Sequence, residues 1–292
     1  MHVNSPDLIV VGAGIFGLSV AWSARRRGLR VRVLEAAHVG AGASGGIVGA
    51  LTPHAPSRWR PMMAFQFDAL MSLSDHVAAL EEACGTSVGY QRSGRLTPLA
   101  SPKARLSAER DAEAAAGTWG RRAAFTVLDE VPVRYRQWIT PEAAPFGVVQ
   151  DTVSARIDPR AYLSALAELL PGMISEGIPV DQVEPARCSV RVAGENLSAG
   201  AIVLAAGWQV WDLIDSVAPE LKGPPVKGQA AMFRASVDGL PVIYQDGLYL
   251  IPHAEGRVAV GSTSEKRFDD PSSTDDLLDG VIERVRAMPH GR

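Results

Sequence analysis

The sequence predicts an α/β protein, Rossmann-like over part of its length and mixed α+β over the rest. Three features carry that expectation: a short apolar run, a glycine-rich loop directly behind it, and a second apolar run ending in an acid about twenty residues further on.

Leu8, Ile9, Val10 and Val11 make the first run, and four consecutive apolar residues read as a central parallel strand covered on both faces. Gly12, Gly14 and Gly17 follow at once in GAGIFG. Gly12 permits the sharp turn out of the strand, Gly14 lets the backbone approach a pyrophosphate with no Cβ in the way, and Gly17 lets a helix pack closely on the strand. That helix, from about Ile15 to Arg27, turns its positive dipole end and its first amides, those of Ile15 and Phe16, towards phosphate. Ala21 is small where the helix meets the sheet, and Gly28 ends the helix. Val31, Val33 and Leu34 form a second strand that delivers Glu35, with Ala36 behind it. An acid there grips both ribose hydroxyls and disfavours a 2′-phosphate, so NADP is the least favoured occupant. A glycine-rich unit without a nucleotide is the competing reading, and strand, loop, helix, strand and acid in that order argue against it.

At 292 residues the chain has room for two domains. Its hydrophobic fraction of 47%, charged fraction of 21% and net charge of -3 are those of an ordinary globular protein, with no electrostatic footprint for nucleic acid or an anionic membrane. The apolar stretch from Leu8 to Ala24 is preceded by Asp7 and followed by Arg25, Arg26 and Arg27, the wrong flanks for a secretory signal, and it is too short and too rich in glycine for stable membrane insertion. Cys84 and Cys188 lack CxxC spacing and nearby histidines. They read as reduced thiols in a cytoplasmic protein, with no disulfide scaffold and no metal site.

The βαβ unit alone leaves NAD and FAD open. From Gly40 to Gly49 glycine, alanine and serine dominate without helix or strand period. Small residues there let backbone lie against a large planar cofactor, with amides and the Ser44 hydroxyl available for bonding, although a flexible linker has the same composition.

The two predicted domains interleave. Residues 1–85 and 154–225 build the nucleotide domain, and residues 86–153 and 226–292 build the second, mixed α+β domain. A helix over Phe67–Ala83 presents Phe67, Leu70, Met71, Val77 and Leu80 on one face. A strand follows over Gly94–Leu99, and Ser101-Pro102 opens another helix. Asp158-Pro159 is a helix start, because Asp caps and Pro suits the first turn. Ala201–Leu204 reads as a further buried strand, whose Ala205, Ala206 and Gly207 leave room for a cofactor at its carboxyl end. A final amphipathic helix has Ser273 and Asp276 at its start and Leu277, Leu278, Val281, Ile282 and Val285 on its buried face.

Taken together, GAGIFG with Glu35, GASGGIVGAL from Gly42 to Leu51, Asp158-Pro159, AIVLAAG from Ala201 to Gly207, PVKGQ from Pro225 to Gln229 and YLIPHAEGRVAVGSTSE from Tyr249 to Glu265 resemble the FAD-dependent D-amino-acid oxidase superfamily. The resemblance is to its glycine oxidase and D-amino-acid dehydrogenase branch and covers nearly the whole chain. It implies FAD as cofactor, the first domain binding FAD and the second the substrate. It also implies that Ala43, Ser44, Gly46, Ile47 and Val48 approach the pyrophosphate and isoalloxazine, that the Val180 backbone meets the adenine, and that Gly207 lies near the cofactor. The activity implied is oxidation of the C–N bond of a small amine or amino acid, of glycine, sarcosine or D-amino-acid type, by hydride transfer to flavin N5.

Tyr249 matches a family tyrosine on the substrate side of the ring and is the leading catalytic candidate; a packed strand tyrosine is the alternative. His54 follows the flavin-contacting loop and is a second candidate against an ordinary loop histidine. His253 stands where many relatives carry arginine, and Arg95 in SGRL is a candidate cation for the substrate pocket. The resemblance also implies a further C-terminal strand with a carboxylate-binding arginine in a Gly-x-Arg-Pro setting, which this sequence does not contain. The expectation is therefore a shortened form with weakened FAD retention and little oxidase activity. Competing readings are a non-catalytic flavin-binding protein, a subunit of a multi-chain dehydrogenase, and an NAD-dependent dehydrogenase using only the first βαβ unit. Homo-oligomerisation and a partner subunit both stay open.

Overall fold

The chain is described by a computed structural model covering residues 5–288 apart from 216 and 238. Leu8–Val11 forms a strand with all four residues buried, because it takes an inner place in a four-stranded parallel sheet. The order across that sheet is Ala201–Leu204, Leu8–Val11, Val31–Leu34 and Ile174–Ser175. The helix Ile15–Arg25 follows the first strand and buries Gly17, Leu18, Ala21, Trp22 and Ala24. It packs beside the helix Pro159–Glu168, which buries Tyr162, Leu163, Ala165 and Leu166. Ile9, Val11 and Leu34 continue into a core with Val183 and Val190, supplied by a small antiparallel sheet of Gln182–Glu184, Ser189–Val192 and Glu195–Ser198. Ala201–Leu204 differs from the expectation. It lies at the sheet edge, with Ala201 exposed and the other three half-buried.

These elements make one compact unit, Met1–Gly46, Leu80–Thr86 and Pro159–Val226; the second comprises Ile47–Ala79, Ser87–Asp158 and Lys227–Arg292. Ile47–Ala79 thus falls in the second unit, whereas composition had placed it with the nucleotide half. The reason is side-chain packing. Phe67, on the helix Pro61–Cys84, stacks on Trp119 at 5.5 Å between ring centroids and shares a core with Ala115 and Val153.

The second unit is built on a seven-stranded sheet, ordered Ala230–Arg234, Arg257–Gly261, Leu248–His253, Val242–Gln245, Arg95–Pro98, Val148–Asp151 and Phe125–Leu128. Only the pairing of Val242–Gln245 with Arg95–Pro98 is parallel. Strand alternation divides its residues between two faces. Leu96, Val148, Ile243, Leu248, Leu250, Val258 and Val260 face a core completed by Trp138, Val281 and Val285. On the other face Val242, Ile251 and Ala259 meet Val48, Ala50 and Tyr249.

The helix Asp276–Ala287 closes the first of these cores. Its cap is Asp275, whose side chain accepts from the Leu277 amide; Ser273, read as the cap from sequence, instead lies beside the Asp270 carbonyl. Asp275 wins because Gln229 Nε2 also bonds its carboxylate at 2.8 Å. With the helix start fixed there, Leu277 is 54% exposed, outside the buried face expected for it.

Candidate functional site

The glycine loop behaves as its spacing predicts. Gly12 has φ +103°, and a Cβ there would lie 2.5 Å from the Ala205 carbonyl oxygen. A Cβ on Gly17 would lie 1.9 Å from the Gly12 carbonyl oxygen, so helix and strand meet at a distance only glycine permits. Gly14 is the N-cap of Ile15–Arg25 and has no side chain to cap it. Instead, Ser44 Oγ reaches across and accepts from the Ile15 amide at 3.1 Å. The hydroxyl that the sequence offered to a phosphate therefore stands at the helix N-terminus, where anions are favoured.

Glu35 leaves the second strand beside this loop. Its Oε2 accepts from the Ala13 amide at 2.7 Å and its Oε1 from the Ala37 amide at 2.9 Å. Two backbone donors fix the carboxylate plane, and each oxygen keeps a lone pair for a further donor such as a ribose hydroxyl. Phe16 is 81% exposed, Ala36, Ala43, Gly46 and Gly207 are exposed, and Val180 is half-buried against the core around Ile9 and Val11. Arg160 was missed in the sequence. Its Nε donates to the Gly45 carbonyl at 2.8 Å and holds the small-residue loop. The only signal was its place one residue after Asp158-Pro159.

These residues fit the ADP half of FAD. Side chains at 12 and 17 would collide with backbone, the helix end and Ser44 offer donors to phosphate, and the carboxylate is held ready for ribose.

In the second unit, Tyr249 lies on the sheet face that meets Val48 and Ala50. Its hydroxyl is 3.0 Å from Thr52 Oγ1, and its ring tilts against Tyr244 with 4.7 Å between centroids. Ile47 and Val48 are fixed from the same face. The ring nitrogen Nε2 of His253 lies 3.1 Å from both the Ile47 and the Val48 carbonyl oxygens. Two acceptors require a donor, so the hydrogen sits on Nε2, an assignment made from the partners. His253 is 1% exposed. Burial pushes its pKa down, opposed by the Val48 and Ile47 carbonyls and by Asp158, with Arg156 adding to the fall. His54 stands in the same stretch as Thr52 but is exposed. Thr52 and Tyr244 also went unread, since neither residue type carries a motif.

Among the described residues no group of three or more His, Cys, Asp or Glu side chains could hold a metal. No helix of the described residues is long and apolar enough to cross a membrane.

Known proteins are similar to this chain over most of its length. The chain is 29% identical to a glycine oxidase of Pseudomonas putida over 297 residues, covering 98% of this chain and 78% of that protein. A glycine oxidase of Pseudomonas aeruginosa is 30% identical over 288 residues, 95% of this chain and 76% of its own length. Among solved structures, glycine oxidase from Bacillus cereus superposes with a TM-score of 0.83 at 20% identity, covering 97% of this chain and 78% of that one. Iminodiacetate oxidase from Chelativorans gives 0.79 at 21% identity, covering 96% and 78%. The family model for FAD dependent oxidoreductases matches residues 7–289, and the chain belongs to that family, with FAD as its cofactor.

Proposed function

We propose that this chain oxidises the C–N bond of a small amine or amino acid of the glycine, sarcosine or D-amino-acid type. The observation that carries the reading is Tyr249. The sheet face of Val242, Ile251 and Ala259 also carries two phenols, Tyr244 and Tyr249, and Thr52 and the Tyr244 ring fix the position of Tyr249. Such a face orients a small substrate with few polar contacts and keeps water from it, which suits loss of hydride from carbon.

Within this reading the first unit holds the cofactor. Gly12, Gly14, Ile15, Phe16 and Gly17 would hold the pyrophosphate, Glu35 and Ala36 the ribose, Val180 the adenine, and Ala43, Ser44, Gly46 and Gly207 would line the rest of the cofactor. In the second unit His253 keeps the Ile47 and Val48 carbonyls in place, and these two residues would approach the isoalloxazine. FAD, when bound, supplies the acceptor for the hydride that leaves the α-carbon. The substrate enters as the neutral amine, loses hydride from carbon and a proton from nitrogen, and the resulting imine is hydrolysed by water to a carbonyl compound and an amine or ammonia. The Tyr249 hydroxyl holds the substrate on the sheet face while this occurs.

The test is the absorbance spectrum of purified protein followed by anaerobic addition of glycine, sarcosine and D-alanine. Bleaching of a stoichiometric flavin by one of them is the expected result. A loaded flavin that none of a broad amine panel reduces would overturn the reading.

A further inference from the structure

We propose that Gly261 is a positioning residue for the flavin: by lacking a side chain it seats Val48 on the sheet and so sets how deeply the segment 47–52 lies there. This rests on the reading above, in which Ile47 and Val48 approach the isoalloxazine. Gly261 ends the strand Arg257–Gly261 and stands opposite Tyr249 on one side and Ala230 on the other. Tyr249 in turn stands opposite Tyr244. Opposed residues share a face, so one row across the sheet reads Tyr244, Tyr249, Gly261, Ala230. Two large side chains are followed by a hollow, and Val48 fills it.

Packing, and not backbone conformation, excludes a side chain from Gly261. Its φ lies outside the left-handed region, and the residue is buried. A Cβ there would lie 2.9 Å from Val48 Cγ2 and 2.9 Å from the Ala230 Cβ, nearer than carbon atoms pack. Val48 is β-branched and stiff at χ1, so its methyl group moves away only if the backbone moves with it. Restoring ordinary contact would lift Val48 by on the order of 0.5 Å. A glycine kept for its backbone alone shows the reverse pattern: Gly207 has φ +60° and nothing within 4 Å of a Cβ.

The same segment is tied to the sheet at both ends. His253 Nε2 holds the Ile47 and Val48 carbonyls at 3.1 Å, and the Tyr249 hydroxyl meets Thr52 Oγ1 at 3.0 Å. Between them Ala50 pairs with Arg156. These bonds fix polar atoms and leave the height of the Val48 side chain undetermined. The hollow at Gly261 determines it, because close-packed interiors transmit a misfit instead of absorbing it. A cofactor ring resting on this segment would therefore rise or fall with what occupies position 261, and binding geometries of this kind are held to about 0.5 Å.

The experiment uses an Ala230→Gly background, which removes the second contact and leaves Val48 alone against a new Cβ. Three full-length proteins are compared: Ala230→Gly, Ala230→Gly with Gly261→Ala, and the triple variant that adds Val48→Ala. Each is titrated with FAD by flavin fluorescence, and the circular dichroism of the flavin bands is recorded at saturating FAD. Gly261→Ala is expected to weaken FAD about tenfold and to alter the flavin bands, and Val48→Ala to restore most of both, as coupled neighbours do in a mutant cycle. A role in stability alone would leave the bands unchanged at saturation. Unchanged bands with Gly261→Ala, or no recovery in the triple variant, would overturn the proposal. Should the second protein fail to fold, the triple variant decides: folded with the reference bands supports the seat, and unfolded overturns it. The titration needs no amine, so the two readings fail separately. Recovery through Val48 with no amine able to reduce the flavin keeps the seat and sinks the oxidation reading; amine-reduced flavin indifferent to Gly261→Ala does the reverse.

Discussion

Under the proposed function, the glycine loop of the first unit and the Tyr249 face of the second would recognise their ligands by opposite means. At the loop the work falls to backbone, to positions where no side chain is tolerated, and to one carboxylate held by two amides. On the sheet face it would fall to side chains: the Tyr249 and Tyr244 pair with its Thr52 contact, above a histidine that holds the chain at Ile47 and Val48. Backbone recognition is generic and steric, so substitutions there act almost as switches. Side-chain recognition is graded, so substitutions there should act by degree.

The largest expected effect breaks the first half of that comparison. Gly17→Ala puts a methyl group 1.9 Å from the Gly12 carbonyl oxygen, and that obstacle is backbone, which cannot swing aside as the end of a side chain would. A loss of about 3 kcal/mol or more is expected, together with loss of FAD from the purified protein, measured by urea unfolding and by flavin absorbance. A variant that folds and keeps stoichiometric flavin would show that the close approach is not what builds the site.

Next comes Glu35→Gln, which keeps the shape of the side chain and changes its donors. A carboxylate satisfies the Ala13 and Ala37 amides together, whereas an amide must turn its NH2 towards one of them. FAD affinity should fall by about 1.5–3 kcal/mol, read by fluorescence titration of the apoprotein. Equal affinity in the variant would mean that the acid serves the loop and not the ribose.

The order of these effects follows how far apart in the chain the contacts lie, and so does what could be read from the sequence. Strand, glycine loop, helix and acid form one local unit whose spacing encodes its shape, so Gly12, Gly17 and Glu35 were legible residue by residue. Thr52 and Tyr249 are separated by 197 positions and Val48 and His253 by 205; no periodicity reports such pairs. The candidate roles of Tyr249 and His54 came from resemblance, and only coordinates show one with its hydroxyl fixed and the other exposed. Errors also arose locally where neighbours compete. Ser273 and Asp275 are both competent caps, and the choice was made by Gln229, 46 residues away.

A smaller effect concerns His253 and pH. Burial holds its folded pKa below the ordinary value, about 6.5 for a free imidazole, so the unfolded chain takes up the proton first. Its stabilising contribution is therefore complete above that value and declines as pH falls from there towards the folded pKa. Replacing it by Gln, which keeps a donor for the Ile47 and Val48 carbonyls, should cost about 1 kcal/mol at pH 7.5 and flatten the loss of stability on acidification. Urea midpoints at pH 7.5, 6.5 and 5.5 measure this. Parallel curves for parent and variant would show that the histidine is charged in both states or in neither.

The smallest effect on stability is the most informative about chemistry. Tyr249→Phe and Thr52→Val each remove one partner of the same 3.0 Å contact, and each should cost about 1 kcal/mol. Their consequences for turnover should part. Thr52→Val leaves the phenol on the sheet face with the Tyr244 ring still against it, so amine-dependent flavin reduction should change little. Tyr249→Phe removes the hydroxyl itself, and kcat/KM should fall about tenfold or more if the phenol touches substrate. Equal turnover in the two variants would make Tyr249 a packing residue joined to Thr52, with its hydroxyl away from the reacting amine.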